Sequence, residues 1–298
     1  MNGSESLRGG YCALLGRSNV GKSTLLNRLV GAKISSTADK PQTTRQNIRG
    51  ILTGHNAQIV FVDTPGIHVR DTHLLNAAMN KSAAAALNDV DAVVLVVETG
   101  HWGGEEDRII GMLAVAGKPC LLCINKVDRL LDKQALLPWL ATMRDKFSFA
   151  ALIPVSAVKG DNVDALKAEI VKLMPCVDAF IYPEDQLSDR DERFIVSELI
   201  REQLMRRLAA ELPYSVYVEI SAYEERGQLT SIAATIWVAR ESHKAIVIGR
   251  SGHALKRIGS RARAAIEGFL NRRCYLSLWV KVRPGWQDDA RIVGALTS

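Results

Sequence analysis

The sequence predicts an α/β protein, a doubly wound and mostly parallel sheet followed by a smaller α+β unit. Two observations predict this. From Gly10 to about Pro175, short apolar runs alternate with stretches of helical period. Beyond residue 189 the order becomes helix, two strands, a Gly-rich turn, a basic helix and a last strand. A chain of 298 residues is long enough for two such units, each with its own core.

The strand-length runs are Tyr11–Leu15, Ala57–Val62, Ala92–Val97, Pro119–Ile124 and Ala151–Val155. Residues 175–192 break the rhythm. Pro175 and Pro183 bracket a segment of little periodicity, and Glu184, Asp185, Asp189, Asp191 and Glu192 form an acidic cluster. This reads as a linker, with Ser188 or Asp189 capping the next helix. Glu192–Leu212 is amphipathic, with Phe194, Ile195, Leu199, Leu204 and Leu208 on one side. Val216–Ile220 and Ser231–Val238 read as strands around a turn at Arg226-Gly227, and Cys274–Val282 as a last strand. A basic helix is expected from about Ala254 to Asn271. His243–Ile248 reads as strand by its β-branched content. No internal repeat or low-complexity segment interrupts the pattern.

Composition sets outer bounds. Apolar content of 47% and charged content of 23% are ordinary for a soluble globular protein. No apolar run approaches the roughly 20 residues that span a bilayer. The N-terminus lacks an apolar core followed by a small-residue cleavage site, so a cytoplasmic protein is expected. Cysteines stand at 12, 120, 123, 176 and 274. Cys120 and Cys123 form a C-x-x-C inside an apolar run, with no second Cys/His pair nearby to complete a zinc site, and read as buried small side chains. The net charge of +6 lies wholly in residues 251–298, which hold nine Lys/Arg and three Asp/Glu. That asymmetry points to an anionic partner, nucleic acid first.

Three segments at predicted strand ends carry the chemistry. Gly16-Arg17-Ser18-Asn19-Val20-Gly21-Lys22-Ser23, with Thr24 next on the helix, is G-x-x-x-x-G-K-S, a phosphate-binding loop. Its backbone N–H groups and the following helix N-terminus favour phosphate oxygens. Lys22 is expected on the β- and γ-phosphates and Ser23 on Mg²⁺. Asp63-Thr64-Pro65-Gly66 offers a carboxylate to hold Mg²⁺ through water and a Gly66 N–H to sense the γ-phosphate. Loss of that phosphate would release the chain after Gly66. Asn125-Lys126-Val127-Asp128 selects guanine. Asp128 can accept from guanine N1–H and the 2-amino group, Asn125 can reach N7, and Lys126 can lie along the base. Ser156-Ala157 fits a further base-contacting loop.

Between the first two segments, Pro41-Gln42-Thr43-Thr44-Arg45 offers a threonine hydroxyl to Mg²⁺, with Thr44 chosen over Thr43. Ile67 stands where small GTPases place a water-orienting glutamine, so turnover is expected to be slow. Asn19 offers a side-chain oxygen near the phosphates for a monovalent cation, or else stabilises its loop.

In the second unit, Gly249-Arg250-Ser251-Gly252 is a G-x-x-G, the backbone clamp with which KH domains grip about four single-stranded nucleotides. Lys256, Arg257, Arg261 and Arg263 continue the positive surface. The αββααβ order supports this reading, although a KH domain requires a short helix where His243–Ile248 reads as strand. The alternative is a solvated basic helix after a turn.

At this point the chain resembles the bacterial Era GTPases over nearly its whole length. The carriers are Gly16–Ser23, Pro41–Arg45, Asp63–Gly66, Asn125–Asp128 and Ser156-Ala157, then Tyr182–Leu187, Glu211–Tyr214, Ile248–Gly252 and Trp279–Val282. The resemblance implies a P-loop GTPase domain over 1–175, a linker over 176–188 and a type II KH domain over 189–298. It also implies a protein that binds GTP/GDP and, through the KH domain, the 3′ end of 16S rRNA; a monomer is expected. Assistance to 30S small-subunit assembly follows, with part of the cytoplasmic pool on the inner membrane. A hydrophobic residue in place of the catalytic glutamine fits Ile67, and relatives with Asn at the Asn19 position use K⁺. Two residues depart from the family pattern: Ser18 stands where proline is usual, and Ser251 where the loop reads Gly-Lys-Gly-Gly. A rival reading is an RNA-tethered scaffold with structural nucleotide. A third is a membrane-associated cell-cycle regulator, since the basic segment would serve anionic lipid as well.

Overall fold

A computed structural model describes residues 6–37, 48–64, 85–130, 132, 134, 136–208, 216–290, 292 and 294. The first sheet comprises β1 (Arg8–Leu15), β2 (Ile48–Thr53), β3 (Ala57–Asp63), β4 (Ala92–Glu98), β5 (Cys120–Asn125) and β6 (Ala151–Pro154). Their order is β2-β3-β1-β4-β5-β6, parallel throughout except for β2. Alternate residues of each strand enter different cores. On one face Cys12, Leu14, Val94 and Val96 pack with α1 (Lys22–Val30) and α4 (Val163–Leu173). On the other, Ala13, Leu15, Val93 and Leu95 pack with α2 (Gly104–Ala116) and α3 (Leu136–Arg144). Burial on both faces is why these strands read as unbroken apolar runs.

The sequence reading missed β2, because Arg49 and Gly50 dilute its apolar signal. Gly50 is needed there, since a Cβ would meet methyl groups of Ile34, Leu26 and Val30 within 2.8 Å. The free edge of β2 is covered by the segment between the two units. Ile51 N–H donates to the Leu187 carbonyl (2.9 Å), and Ser188 Oγ donates to the Arg49 carbonyl (2.8 Å). Buried Gln58 accepts from the Ile181 and Tyr182 N–H groups and donates to the Tyr182 carbonyl. Covering an edge in this way blocks pairing with foreign strands. The expected cap residues therefore serve β2 instead. The helix cap is Asp191, whose carboxylate accepts from Phe194 N–H (2.8 Å), because the first helical residue is Glu192 and a cap must precede it directly.

The second unit runs α5 (Glu192–Arg207), β7 (Val216–Arg226), β8 (Leu229–Val238), α6 (Glu241–Ile248), α7 (His253–Leu270) and β9 (Arg273–Val282). This is the αββααβ order. β7 pairs antiparallel with β8, and β8 pairs parallel with β9, leaving β9 at an edge. Ile232, Ala234 and Ile236 of β8 pack against Ile195, Leu199 and Leu204 of α5 and Ile258, Ala262 and Ile266 of α7. His243–Ile248, read as strand for its β-branched content, is helical within α6, which corrects that reading. Only Val247 is buried there, and the helix ends where Gly249 N–H donates to the Ala245 carbonyl (2.8 Å). Tertiary packing overrides the local propensity.

Candidate functional site

The phosphate loop leaves β1 and enters α1. Gly21 takes φ 101°, and a Cβ there would overlap the Asn125 amide. Asn19 is exposed at φ 66°, a left-handed conformation that Asn tolerates. Lys22 is 6% exposed, and its ammonium donates to the Gly16 (2.8 Å) and Arg17 (3.0 Å) carbonyls. Burial pulls its pKa down to about 8, with Asp63 and Glu105 opposing. Ser18 and Thr24 are half-buried around it.

Asp63 closes β3 beneath this loop, fully buried. Its Oδ2 accepts from Ser23 Oγ (2.8 Å) and from Ser35 Oγ (3.1 Å). Thr64 Oγ1 donates to the Leu14 carbonyl (2.8 Å), fixing the exit of the strand. Hard oxygen donors thus converge beside a lysine and a helix N-terminus, a donor set that suits Mg²⁺ and not zinc. Cys120 and Cys123 are buried, with thiol pKa values pushed up by burial, so they behave as inert packing groups. Thr44, Pro65, Gly66 and Ile67 lie outside the described residues.

Sequence reasoning missed Ser35. The signal was Asn27, one turn into α1, whose Oδ1 accepts from Ile34 N–H and Ser35 N–H (both 2.9 Å) and so delivers the Ser35 hydroxyl to Asp63. The next two residues bond to α5. Ser36 Oγ donates to Glu198 (3.0 Å), and Thr37 N–H donates to Glu202 Oε2 (3.1 Å). Glu202 is fully buried, and it is matched by Lys33 (2.8 Å) and Arg206 (2.7 Å).

The residues expected to contact the base meet at the ends of β5 and β6. Asn125 donates through Nδ2 to the Val20 carbonyl (2.8 Å) and accepts at Oδ1 from Ala157 N–H (3.0 Å). It ties the phosphate loop to the Ser156-Ala157 loop and keeps one amide hydrogen free for a ligand. Ser156 Oγ donates to Asp128 Oδ1 (2.6 Å). That hydrogen bond holds the Asp128 pKa below its ordinary value, keeping the carboxylate ionised. Arg28 of α1, which no motif flagged, donates through Nε to the Ala157 carbonyl (3.2 Å).

Glu98, at the end of β4, joins the two halves. It meets Lys126 Nζ (2.9 Å), Arg129 (3.1 Å) and Arg17 of the phosphate loop (3.5 Å). Partial burial pushes its pKa up, but the bond and charge of Lys126, with Arg129 and Arg17, outweigh this and hold it low. Arg17 also faces the buried Glu106 at 3.0 Å. Glu98→Gln removes three partly exposed pairs, each worth about 0.5 kcal/mol. It is expected to speed GDP release about threefold to tenfold, as read by stopped-flow with a fluorescent GDP analogue. An unchanged rate would mean that Glu98 does not hold the Asn125–Arg129 segment against the nucleotide.

In the second unit, the G-x-x-G turns between α6 and α7. Gly249 takes φ 72°, and a Cβ there would sit 2.5 Å from the Ala254 methyl. Behind the turn lies an open groove of about 430 Å³ between α7 and β9. Gly252, Leu255, Lys256 and Arg263 form its α7 side, and Leu276 and Leu278 its β9 side. Arg250 is exposed at the turn, while Arg257 and Arg261 occupy a neighbouring exposed stripe of α7 outside the groove. Its apolar wall, Leu255 with Leu276 and Leu278, was not foreseen, because helical and strand positions meet there only in three dimensions. Ser251 is held at φ 50°, ψ 31°. A non-glycine residue there costs about 1 kcal/mol, so Ser251→Gly is expected to stabilise the protein by about 0.5–1 kcal/mol in thermal denaturation. A lowered melting temperature would show that the Ser251 side chain contributes more than its strain costs.

A family model described as a 50S ribosome-binding GTPase matches residues 11–126, and a KH domain model matches residues 211–287. GTPase Era of Xanthomonas axonopodis pv. citri (strain 306) is 49% identical over 282 residues, which cover 95% of this chain and 94% of that protein. The chain belongs to the Era family of GTPases. GTPase Era of Azotobacter vinelandii is 46% identical, covering 99% of this chain and 98% of its own length. Aquifex aeolicus Era bound to GDP·AlF₄⁻ has the same fold, with a TM-score of 0.93 and 34% identity over 97% of this chain and 99% of that one. An Era complex with MgGDPNP and nucleotides 1506–1542 of 16S ribosomal RNA gives a TM-score of 0.92 and 35% identity, covering 97% and 98%. This Era-family chain is a GTPase, with a P-loop GTPase domain followed by a KH domain. Among the described residues, no helix is long and apolar enough to cross a membrane.

Proposed function

We propose that the protein is a nucleotide-gated RNA binder. Its KH domain takes the 3′ end of 16S rRNA in the GTP state, and it assists 30S subunit assembly as a cytoplasmic monomer. Residues 1–175 form the GTPase domain, 176–188 the linker and 189–298 the KH domain. Gly16–Thr24 cradle the phosphates with Lys22 on the β- and γ-phosphates, while Asn125, Lys126, Asp128, Ser156 and Ala157 hold guanine. Ser23, Asp63 and Thr44 would hold Mg²⁺, which would supply positive charge against the phosphates. Asn19 would offer its side-chain oxygen to K⁺. Gly66 senses the γ-phosphate, and with Ile67 in place of glutamine the intrinsic turnover is slow. Gly249–Gly252 with Lys256 clamp the RNA backbone, and Arg257 and Arg261 extend the positive field.

The observation that carries the gating is a continuous path of hydrogen bonds. Ser23 and Ser35 share Asp63, while the adjacent Ser36 and Thr37 are held by Glu198 and Glu202 of α5. Whatever moves residues 35–37 at the phosphate end also pulls on the first helix of the RNA-binding unit. The RNA assignment is supported by the Era relative complexed with nucleotides 1506–1542 of 16S ribosomal RNA. The test is the affinity of that RNA segment with GDP and with a non-hydrolysable GTP analogue, at one salt concentration. Tighter binding with the analogue is expected. Equal binding would remove the switch, and no binding in either state would remove the RNA role.

A further inference from the structure

The loop after β6 is held by hydrogen bonds more than by burial. Ala157 is buried, but Val158 beside it is 67% exposed and Lys159 is exposed. The loop closes on itself where Gly160 N–H donates to the Ser156 carbonyl (2.7 Å). The two peptide groups that flank Ala157 are fixed from outside it. Asn125 holds the first, accepting from Ala157 N–H (3.0 Å). Arg28 holds the second: its Nε donates to the Ala157 carbonyl (3.2 Å), and its Nη2 donates to the Val158 carbonyl.

Arg28 is committed to this task. Among the described residues no carboxylate pairs with it, and its two arms go to main-chain oxygens. A planar guanidinium can serve two neighbouring oxygens at once, which an ammonium does poorly. Gly160, at φ 92°, lies against the same group, where a Cβ would come 3.8 Å from Nη1.

The helix that carries Arg28 also carries the phosphate end of the site. The first turn of α1 holds Lys22 and Ser23, and its last turns hold Asn27 and Arg28. Successive residues of a helix point about 100° apart, so these two reach different segments. Asn27 accepts from Ile34 N–H and Ser35 N–H, while Arg28 takes the loop after β6. A helix of nine residues is about 13 Å long. One rigid element therefore sets the spacing between the phosphate cradle and the Ser156-Ala157 loop.

We propose that Arg28 is a positioning residue for guanine binding. By locking the Ala157 and Val158 carbonyls it holds the Ser156-Ala157 loop at a fixed distance from the phosphate cradle, so that base and phosphates are met together without first ordering the loop. The assignment rests on the reading of Ser156 and Ala157 as base contacts.

The test uses the full chain and two probes: a fluorescent GDP analogue, and inorganic tripolyphosphate, which has phosphates and no base. Arg28→Met keeps an unbranched stem and removes both donors. It is expected to speed release of the GDP analogue about tenfold, the net worth of about one charge-assisted bond, and to leave tripolyphosphate affinity unchanged. The KM for GTP should rise by a similar factor without a fall in kcat. Arg28→Lys, which keeps a charged donor and loses the fork, should recover part of the difference. Equal weakening of both probes would mean that Arg28 supports the fold or the phosphate loop, and would overturn the proposal. An unchanged GDP release rate in Arg28→Met would overturn it too. Ser156→Ala separates this assignment from the reading beneath it. If that variant speeds GDP release and Arg28→Met does not, only the role of Arg28 fails. If neither does, the loop is not at the base and both fail.

Discussion

Asp128→Asn is expected to invert the base preference of the nucleotide site, weakening GTP about 10²–10⁴-fold while admitting xanthosine triphosphate. The magnitude follows from two charge-assisted hydrogen bonds, to N1–H and the 2-amino group, each worth about 1.5–3 kcal/mol. An Asn at 128 would set its amide donor against the 2-amino donor of guanine, whereas xanthine offers a 2-oxo acceptor there. The carboxylate is pre-set for this work. Ser156 Oγ holds Asp128 at 2.6 Å and keeps its pKa low, so the acceptor persists as pH falls below neutrality and is lost only below the usual carboxylate range. Competition binding with the two nucleotides decides the matter, and an unchanged preference for GTP would remove Asp128 from the base site.

Lys22→Ala should abolish measurable GTP turnover, by about 10²–10⁴-fold, through loss of charge-assisted bonds to the β- and γ-phosphates. The lysine also gives nucleotide binding a pH signature. In the free protein burial pulls its pKa from 10.5 to about 8. Between those values the unfolded chain binds more protons than the folded one, so this group makes the free protein more stable as pH rises through that window. An anionic phosphate beside the amine favours its charged form again, so binding above pH 8 takes up a proton and weakens as pH rises. Calorimetry in two buffers of different ionisation enthalpy measures that uptake. If Lys22→Ala still takes up the proton, the amine is not the group responsible.

Local signals made much of this protein legible. The continuous strands could be read because burial on both faces demands unbroken apolar runs. The G-x-x-x-x-G-K-S, Asp63-Thr64 and Asn125–Asp128 segments could be read because each is contiguous, so the backbone alone brings their groups together. β2 was illegible because its register depends on Gly50 fitting beneath α1 and on a segment nearly 140 residues later covering its edge. The strand reading of His243–Ile248 failed because β-branching is a weak preference, and packing of a single buried face overruled it.

The α/β class, the outer elements of the second unit, the G-x-x-x-x-G-K-S and Asn125–Asp128 segments and the basic charge of residues 251–298 were legible from the chain alone. Those follow from periodicity, from fixed spacing and from composition, which are properties of neighbouring residues. Only the tertiary structure decided that Glu98 joins Lys126 to Arg17, that Ser35 shares Asp63 with Ser23, and that Glu202 of α5 grips the segment leading towards Thr44. It also decided which face of β9 lines the groove and which meets solvent. Each joins residues far apart in the chain, and a buried charge such as Glu202 is tolerable only where the fold brings its partners within reach.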